Sequence, residues 1–269
     1  MERVTVFCFA ASYAVALALE LWRLYRPRPV FTVAAVAFGA AGLLAQTIYL
    51  AVQRPPLAWQ FGYLLLIAWV LVVFYIGGTM HRDRVPFGVF VLPLVLVLVG
   101  LGGLGSFFDR PPPDVPLFRA EGWLSFQLAH AVLLLLAAVG LCVGFVASLM
   151  YLLQAHRLKV KAPPTRGLRL LSLERLETMN RRAVAAAFPL LTIGLVIGAA
   201  LMFHGNLQGW DDLRIWAAVV LWLAFALLVL LRYGAHLRGR PVAVLTIMTF
   251  VLLLTCLTLS HPTAQGVRP

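Results

Sequence analysis

Charge is what this sequence has least of. Only 12% of its 269 residues are Asp, Glu, Lys or Arg, and just ten are acidic. Soluble domains carry about a quarter charged and about half apolar residues, whereas 62% of this chain is hydrophobic. A water-soluble fold could not hide that much apolar surface, so lipid is the solvent for most of it. No carboxylate pair lies where a cavity could use it, and no Ser-His-Asp set or nucleotide-binding glycine loop is present. Gly102-Gly103-Leu104-Gly105 lacks the strand, helix and lysine context that a phosphate loop requires. The sequence therefore does not point to an enzyme.

Cysteine is equally sparse. Cys8, Cys142 and Cys256 stand singly inside apolar runs, with no Cys-x-x-Cys pair and no Cys-x-x-Cys-His attachment site. That pattern excludes covalently attached haem on this chain and leaves three small buried hydrophobes as the expectation.

What is present is a series of apolar runs long enough to cross hydrocarbon, which takes about 20 helical residues. Eight occur, at roughly 4–22, 30–52, 58–79, 86–105, 124–155, 183–203, 213–232 and 241–260. The fold class is accordingly all-α, a polytopic membrane helix bundle of about eight transmembrane helices forming one membrane domain, residues 1–269. The first run resembles a signal peptide in position, but only Arg3 precedes its core, and its apolar stretch is longer than a signal core. It reads as a retained helix.

The net charge of +12 is a topology signal and not a nucleic-acid footprint. Sixteen of the 22 Lys and Arg fall on one side of the eight spans: Arg23, Arg26 and Arg28; Arg82 and Arg84; eight from Arg157 to Arg182; and Arg232, Arg238 and Arg240. By the positive-inside rule that side is cytoplasmic, both termini face outward, and the inner face attracts anionic lipids. A multi-pass protein of a bacterial cell membrane is the expected setting.

Two connections are long. The outer one, Ser106–Gly122, contains Pro111-Pro112-Pro113, which forbids helix. The inner one, Arg157–Arg182, begins with Lys159, Lys161, Pro163 and Pro164. It then offers Ser172 as an N-cap and Glu174 in a first turn. Leu173, Leu176 and Met179 predict a short separate helix lying on the inner membrane face. Helix five, Leu124 to Ala155, would be about 48 Å long against about 30 Å of hydrocarbon, so it must tilt or project. Helix six carries Pro189, expected to kink it, and a Gly194-x-x-x-Gly198 pair that allows close helix approach.

Topology sorts the six histidines. His81, His156 and His236 lie at inner helix ends beside Arg or Lys, as interfacial polar residues. His130, His204 and His261 fall at the outer ends of helices five, six and eight. Ionisable groups inside a membrane are costly and mark function, and neutral imidazole is the commonest metal ligand. His130, on an otherwise apolar helix, must find a hydrogen-bond partner. In the loop between helices six and seven, Trp210 is a candidate aromatic anchor, as is Trp216 beyond it. Asp211 and Asp212 are candidate caps for helix seven.

From roughly Leu124 to His261 the chain resembles the cytochrome c assembly membrane proteins, the CcsA, ResC and HemX-like group of haem-handling proteins. The likeness is carried by the His130 helix running into Ala147-Ser148-Leu149-Met150-Tyr151, by Leu173-Glu174-Arg175-Leu176-Glu177-Thr178-Met179-Asn180, and by Phe188-Pro189-Leu190-Leu191-Thr192-Ile193-Gly194. A Trp-Asp loop, the Trp216 and Trp222 helix and a last helix ending in histidine complete it. The resemblance implies non-covalent binding of haem b, with His130 and His261 on the iron and an outer loop of form W-G-x-x-W-x-W-D presenting it. Gly205, Trp210 and Asp211 match that loop, while His204 and Gln208 stand where tryptophans are expected. Asp212-Leu213-Arg214 replaces the usual P-K-E, and Leu230 stands about where some members have a deep histidine. The HemX-like branch fits these departures best. Arg119 and Arg214 are candidate partners of the haem propionates.

The resemblance further implies other cytochrome c maturation membrane proteins and apocytochrome c as partners. Two other classes fit the composition. One is a haem-free regulatory or scaffolding protein acting through the basic inner connector. The other is a small-solute transporter, which is disfavoured because no internal repeat is visible and Glu20 is the one acid well inside a span.

Overall fold

The computed structural model describes residues 6–52, 62–81, 87–106, 123–160, 171–204, 213–235, 237 and 239–259. They form eight helices: α1 (Val6–Tyr25), α2 (Pro29–Val52), α3 (Gly62–His81), α4 (Gly88–Ser106), α5 (Trp123–Lys159), α6 (Leu173–His204), α7 (Leu213–Tyr233) and α8 (Arg240–Leu259). No strand occurs among the described residues. Seven helices are long and apolar enough to cross a membrane, and α4 offers the shorter apolar stretch Gly88–Leu104. The protein is an all-α polytopic membrane protein.

Helix starts follow local chemistry. Pro29 opens α2, and Pro241 is the second residue of α8. Both lie in a first turn, where a missing N–H costs no hydrogen bond. Gly239, with φ at +80°, precedes α8 in the left-handed backbone region that suits glycine.

The chain divides into two compact units. One holds Met1–Arg110 and Leu153–Leu173, the other Pro111–Leu152 and Glu174–Pro269.

In the first unit α1 packs on α2 and α4, and α3 packs on α2 and α4, which closes a four-helix ring. Phe9, Tyr13, Leu71, Tyr75, Leu92 and Leu98 fill it. Several polar side chains inside it are paired across helices, as an apolar medium favours. The Tyr13 hydroxyl donates to Gln46 Oε1 at 2.5 Å, and Gln46 Nε2 donates to the Leu65 carbonyl at 2.9 Å. Glycines make room for the aromatic rings: a Cβ on Gly42 would stand 2.5 Å from the Tyr13 ring.

Glu20, noted from sequence only as an isolated acid, is fully buried here. Tyr75 Oη donates to its Oε1 at 3.1 Å, and Arg23 Nη2 lies 3.2 Å from its Oε2. Arg23 Nη1 donates to Thr32 Oγ1 at 3.0 Å. One buried cluster thus links α1, α2 and α3, and Gly88 of α4 lies against it. A Cβ on Gly88 would meet Glu20 Cγ at 2.7 Å.

In the second unit α5 and α6 run antiparallel. Gly194 faces Leu134, Gly140 faces Ala187, and Gly144 faces Val184, so one number falls as the other rises. Phe145 of α5 stacks on Phe250 of α8 at 4.1 Å, and Phe188 of α6 stacks on Trp222 and Phe225 of α7.

Three sequence expectations need correction. Residues from Leu173 do not form a separate helix on the membrane surface; they are the first turns of the 32-residue α6. No glycine or proline interrupts the chain between Ser172 and Pro189, so nothing ends the helix. Leu176, Asn180, Val184, Ala187 and Leu191 make one buried stripe, while Arg181 and Arg182 stay exposed. Helix five is longer than expected, 37 residues or about 55 Å at 1.5 Å per residue. Of the cysteines only Cys142 is buried; Cys8 is exposed and Cys256 intermediate. A thiol is small and apolar enough to face lipid as readily as core.

Candidate functional site

α5 brings His130 against α6 in the second unit. The His130 ring is partly buried, and its Nδ1 lies 2.7 Å from the Gly194 carbonyl oxygen. A carbonyl can only accept, so Nδ1 carries the proton and Nε2 keeps its lone pair in the neutral ring. Metal-binding histidines adopt this arrangement, one nitrogen anchored to a carbonyl and the other offered to a metal. The partner that the sequence required for His130 is thus a backbone group, which no side-chain pattern could reveal.

The ring rests on bare backbone. A Cβ on Gly198 would stand 2.6 Å from His130 Cε1 and 3.0 Å from Nδ1. The Gly194-x-x-x-Gly198 pair does allow close approach to α5, as expected, and it also makes room for an imidazole.

Fourteen residues back along α6 lies a second polar centre, at the basic end of the unit. Asn180 Nδ2 donates to the Gly144 carbonyl at 3.1 Å, to Ser148 Oγ at 2.8 Å and to Thr246 Oγ1 at 3.2 Å. Arg232 Nη1 donates to Asn180 Oδ1, and Arg232 Nη2 donates to the Glu177 carbonyl at 2.9 Å. Sequence reasoning counted Arg232 only as a topology charge, yet it is buried. Its available signal was Asn180, a polar residue in register with the apolar stripe of α6. A small cleft lined by Ser148, Tyr151, Glu177, Asn180, Arg232 and Gly239 adjoins the cluster. It has room for about one water.

Between the two centres, Trp222 Nε1 donates to Thr192 Oγ1 at 3.0 Å, joining α7 to α6. Trp216 is exposed, as a membrane-interface anchor would be. His156 at the far end of α5 is exposed too. His261, Trp210, Asp211, Asp212, Arg119 and His236 lie outside the described residues, as does the triple proline. His204 is described only as the last residue of α6, and the side chains of His81 and Arg214 are likewise outside the description. Among the described residues no three His, Cys, Asp or Glu gather as a metal cluster.

A family model for the cytochrome C assembly protein matches residues 58–267. The chain belongs to the cytochrome c assembly protein family. The match takes in α3 to α8, more than the Leu124–His261 span in which the resemblance was legible. Relatives named cytochrome c biogenesis protein CcsA support it. That of Guillardia theta is 27% identical over 220 residues, covering 75% of this chain and 71% of the relative. That of Mesostigma viride is 20% identical over 308 residues, covering 100% and 98%. That of Microcystis aeruginosa is 35% identical over a shorter stretch of 85 residues, covering 31% and 26%. No solved structure matches the chain significantly. Family membership and the apolar helices together make this a membrane protein of cytochrome c biogenesis.

Proposed function

We propose that the protein captures haem b non-covalently near the ends of α5 and α6 that the charge pattern assigns to the outer face. In this reading His130 Nε2 is one iron ligand and His261 the other. The observation that carries it is the His130 Nδ1 contact with the Gly194 carbonyl, which leaves Nε2 as the nitrogen able to ligate. The donor chemistry fits haem, since the porphyrin supplies four nitrogens and the protein need add only one or two imidazoles. Trp210, Asp211 and His204 would border the bound group from the following loop. Arg119 and Arg214 would meet its propionates, because guanidinium forks match carboxylates.

Haem, when bound, supplies the iron porphyrin that a partner attaches to an apocytochrome. The chain's own residues hold and orient it. Partners are then apocytochrome c and other maturation membrane proteins, with anionic lipids at the basic inner face. The setting is a bacterial cell membrane with both termini outside. Holding a cofactor for a partner needs no bond-making by this chain, so no enzymatic step is assigned to it.

A visible absorption spectrum of detergent-purified protein from haem-supplied cells tests the reading against His130→Ala and His261→Ala. We expect a Soret band in the wild type that is lost or strongly reduced in both variants. A wild type without a band, even after added haemin, overturns the proposal and turns attention to the basic connector as a docking segment.

A further inference from the structure

Glycine pairs in membrane helices usually do no more than let two backbones approach, and α5 and α6 contain such a place. A Cβ on Gly140 would stand 2.8 Å from Ala187 Cβ and 3.3 Å from the Ala183 carbonyl oxygen, a contact with helix α6 that involves no titratable side chain. At Gly198 the neighbour is an imidazole instead, with Cε1 at 2.6 Å, Nδ1 at 3.0 Å and Nε2 at 3.5 Å from the absent Cβ. One turn earlier, the Gly194 carbonyl lies 2.7 Å from the same Nδ1. The four-residue spacing puts the acceptor and the bare Cα on one side of α6, one above the other. The hydrogen bond and the steric opening therefore act on one ring.

We propose that Gly194 and Gly198 are positioning residues for His130. The Gly194 carbonyl holds the ring as the Nδ1–H tautomer, and the missing Cβ of Gly198 lets it lie close enough to do so. The inference rests on His130 being the iron ligand, and it specifies how that ligand is prepared. Donation from Nδ1 to a carbonyl fixes ring orientation and strengthens Nε2 as an electron-pair donor. Free rotation of the ring would leave either nitrogen to meet the metal. A residue larger than glycine at 198 would push the ring off the carbonyl, because α6 backbone lies behind the Cβ and cannot give way.

Histidine-selective nitrogen-15 NMR of the haem-free protein in detergent micelles reads the tautomer directly. The His130 signals are assigned by their absence in His130→Gln. We expect a protonated Nδ1 and an unprotonated Nε2 in the wild type. Gly198→Ala should shift His130 toward a mixture of tautomers, whereas Gly140→Ala, an equally close helix contact, should leave it unchanged. A wild-type Nε2–H tautomer overturns the proposal without any variant. Equal effects of the two alanines overturn it as well, since packing alone would then account for both.

Haemin titration keeps this separate from the ligand assignment. Gly198→Ala should weaken haemin binding roughly 10- to 100-fold, the usual effect of losing a metal ligand's supporting partner. An Nδ1–H tautomer in a protein that binds no haemin would leave the positioning intact and remove the haem reading. A Soret band lost in His130→Ala, alongside an Nε2–H tautomer, would do the reverse.

Discussion

Arg232 of α7 donates from Nη1 to Asn180 Oδ1 on α6, and the same amide's nitrogen donates to groups on α5 and α8. One asparagine therefore ties all four helices of the second unit together, with a buried guanidinium held against it. Polar groups inside a membrane protein are costly unless paired, and here the pairing also sets which faces meet.

Removing Asn180 should therefore hurt more than removing Arg232. Asn180→Ala takes one acceptor from buried Arg232, which keeps Glu177, and removes the amide donor to α5 and α8. It should lower unfolding free energy by about 1–3 kcal/mol, the range for leaving buried polar groups unsatisfied. Arg232→Met, which takes the charge away and keeps apolar volume, should cost less. In a double-mutant cycle followed by denaturing-detergent titration, the double variant should be more stable than the sum of the single losses predicts. Strict additivity would mean the two side chains are not coupled.

The Glu20–Arg23 cluster makes a parallel case in the first unit. Glu20→Ala leaves Arg23 buried without its carboxylate and should cost about 3–5 kcal/mol. Glu20→Gln, which keeps an acceptor for the Tyr75 hydroxyl, should lose less. Thermal melts of the two variants in the same detergent rank them, and an equal loss would deny the cluster its pairing role.

Glycines separate into two groups by what surrounds them. A Cβ on Gly88 would stand 2.6 Å from the Tyr75 ring and 2.7 Å from Glu20 Cγ, whereas Gly100 has nothing within 4 Å. Gly88→Ala should destabilise by about 1–3 kcal/mol through overpacking. Gly100→Ala should stabilise by about 0.5–1 kcal/mol, because alanine loses less backbone freedom in a helix. The sign difference in melting temperature is the test.

Trp222 both stacks on Phe188, with centroids 6.1 Å apart, and donates to Thr192 Oγ1. Trp222→Phe keeps the stack and drops the hydrogen bond. It should cost about 0.6 kcal/mol, the average for side-chain hydrogen bonds between membrane helices. Trp222→Ala should cost several times more, and equal losses would show that the ring contact contributes nothing.

Helix number and class were legible in the sequence because hydrocarbon imposes one requirement on every span, an unbroken apolar run. His130 was legible for the same reason: an imidazole in such a run is conspicuous. Gly194 and Gly198 were legible as a pair, but not as the surroundings of that imidazole. Arg232 was legible as a basic residue at a span end but not as a buried one, because such a residue looks alike whether it faces lipid heads or a neighbouring helix. The start of α6 was misread because Leu173, Leu176 and Met179 suit a membrane-surface helix as well as a continuous one.

The sequence by itself determined that this chain lives in lipid, as helices, because those properties are sums over local residues. The tertiary structure alone decided which polar groups meet. Glu20 finds Tyr75 55 positions away, His130 finds Gly194 64 positions away, and Asn180 finds Arg232 52 positions away. Such meetings depend on helix rotation and register, which follow from the packing of whole faces and leave no mark at either residue alone.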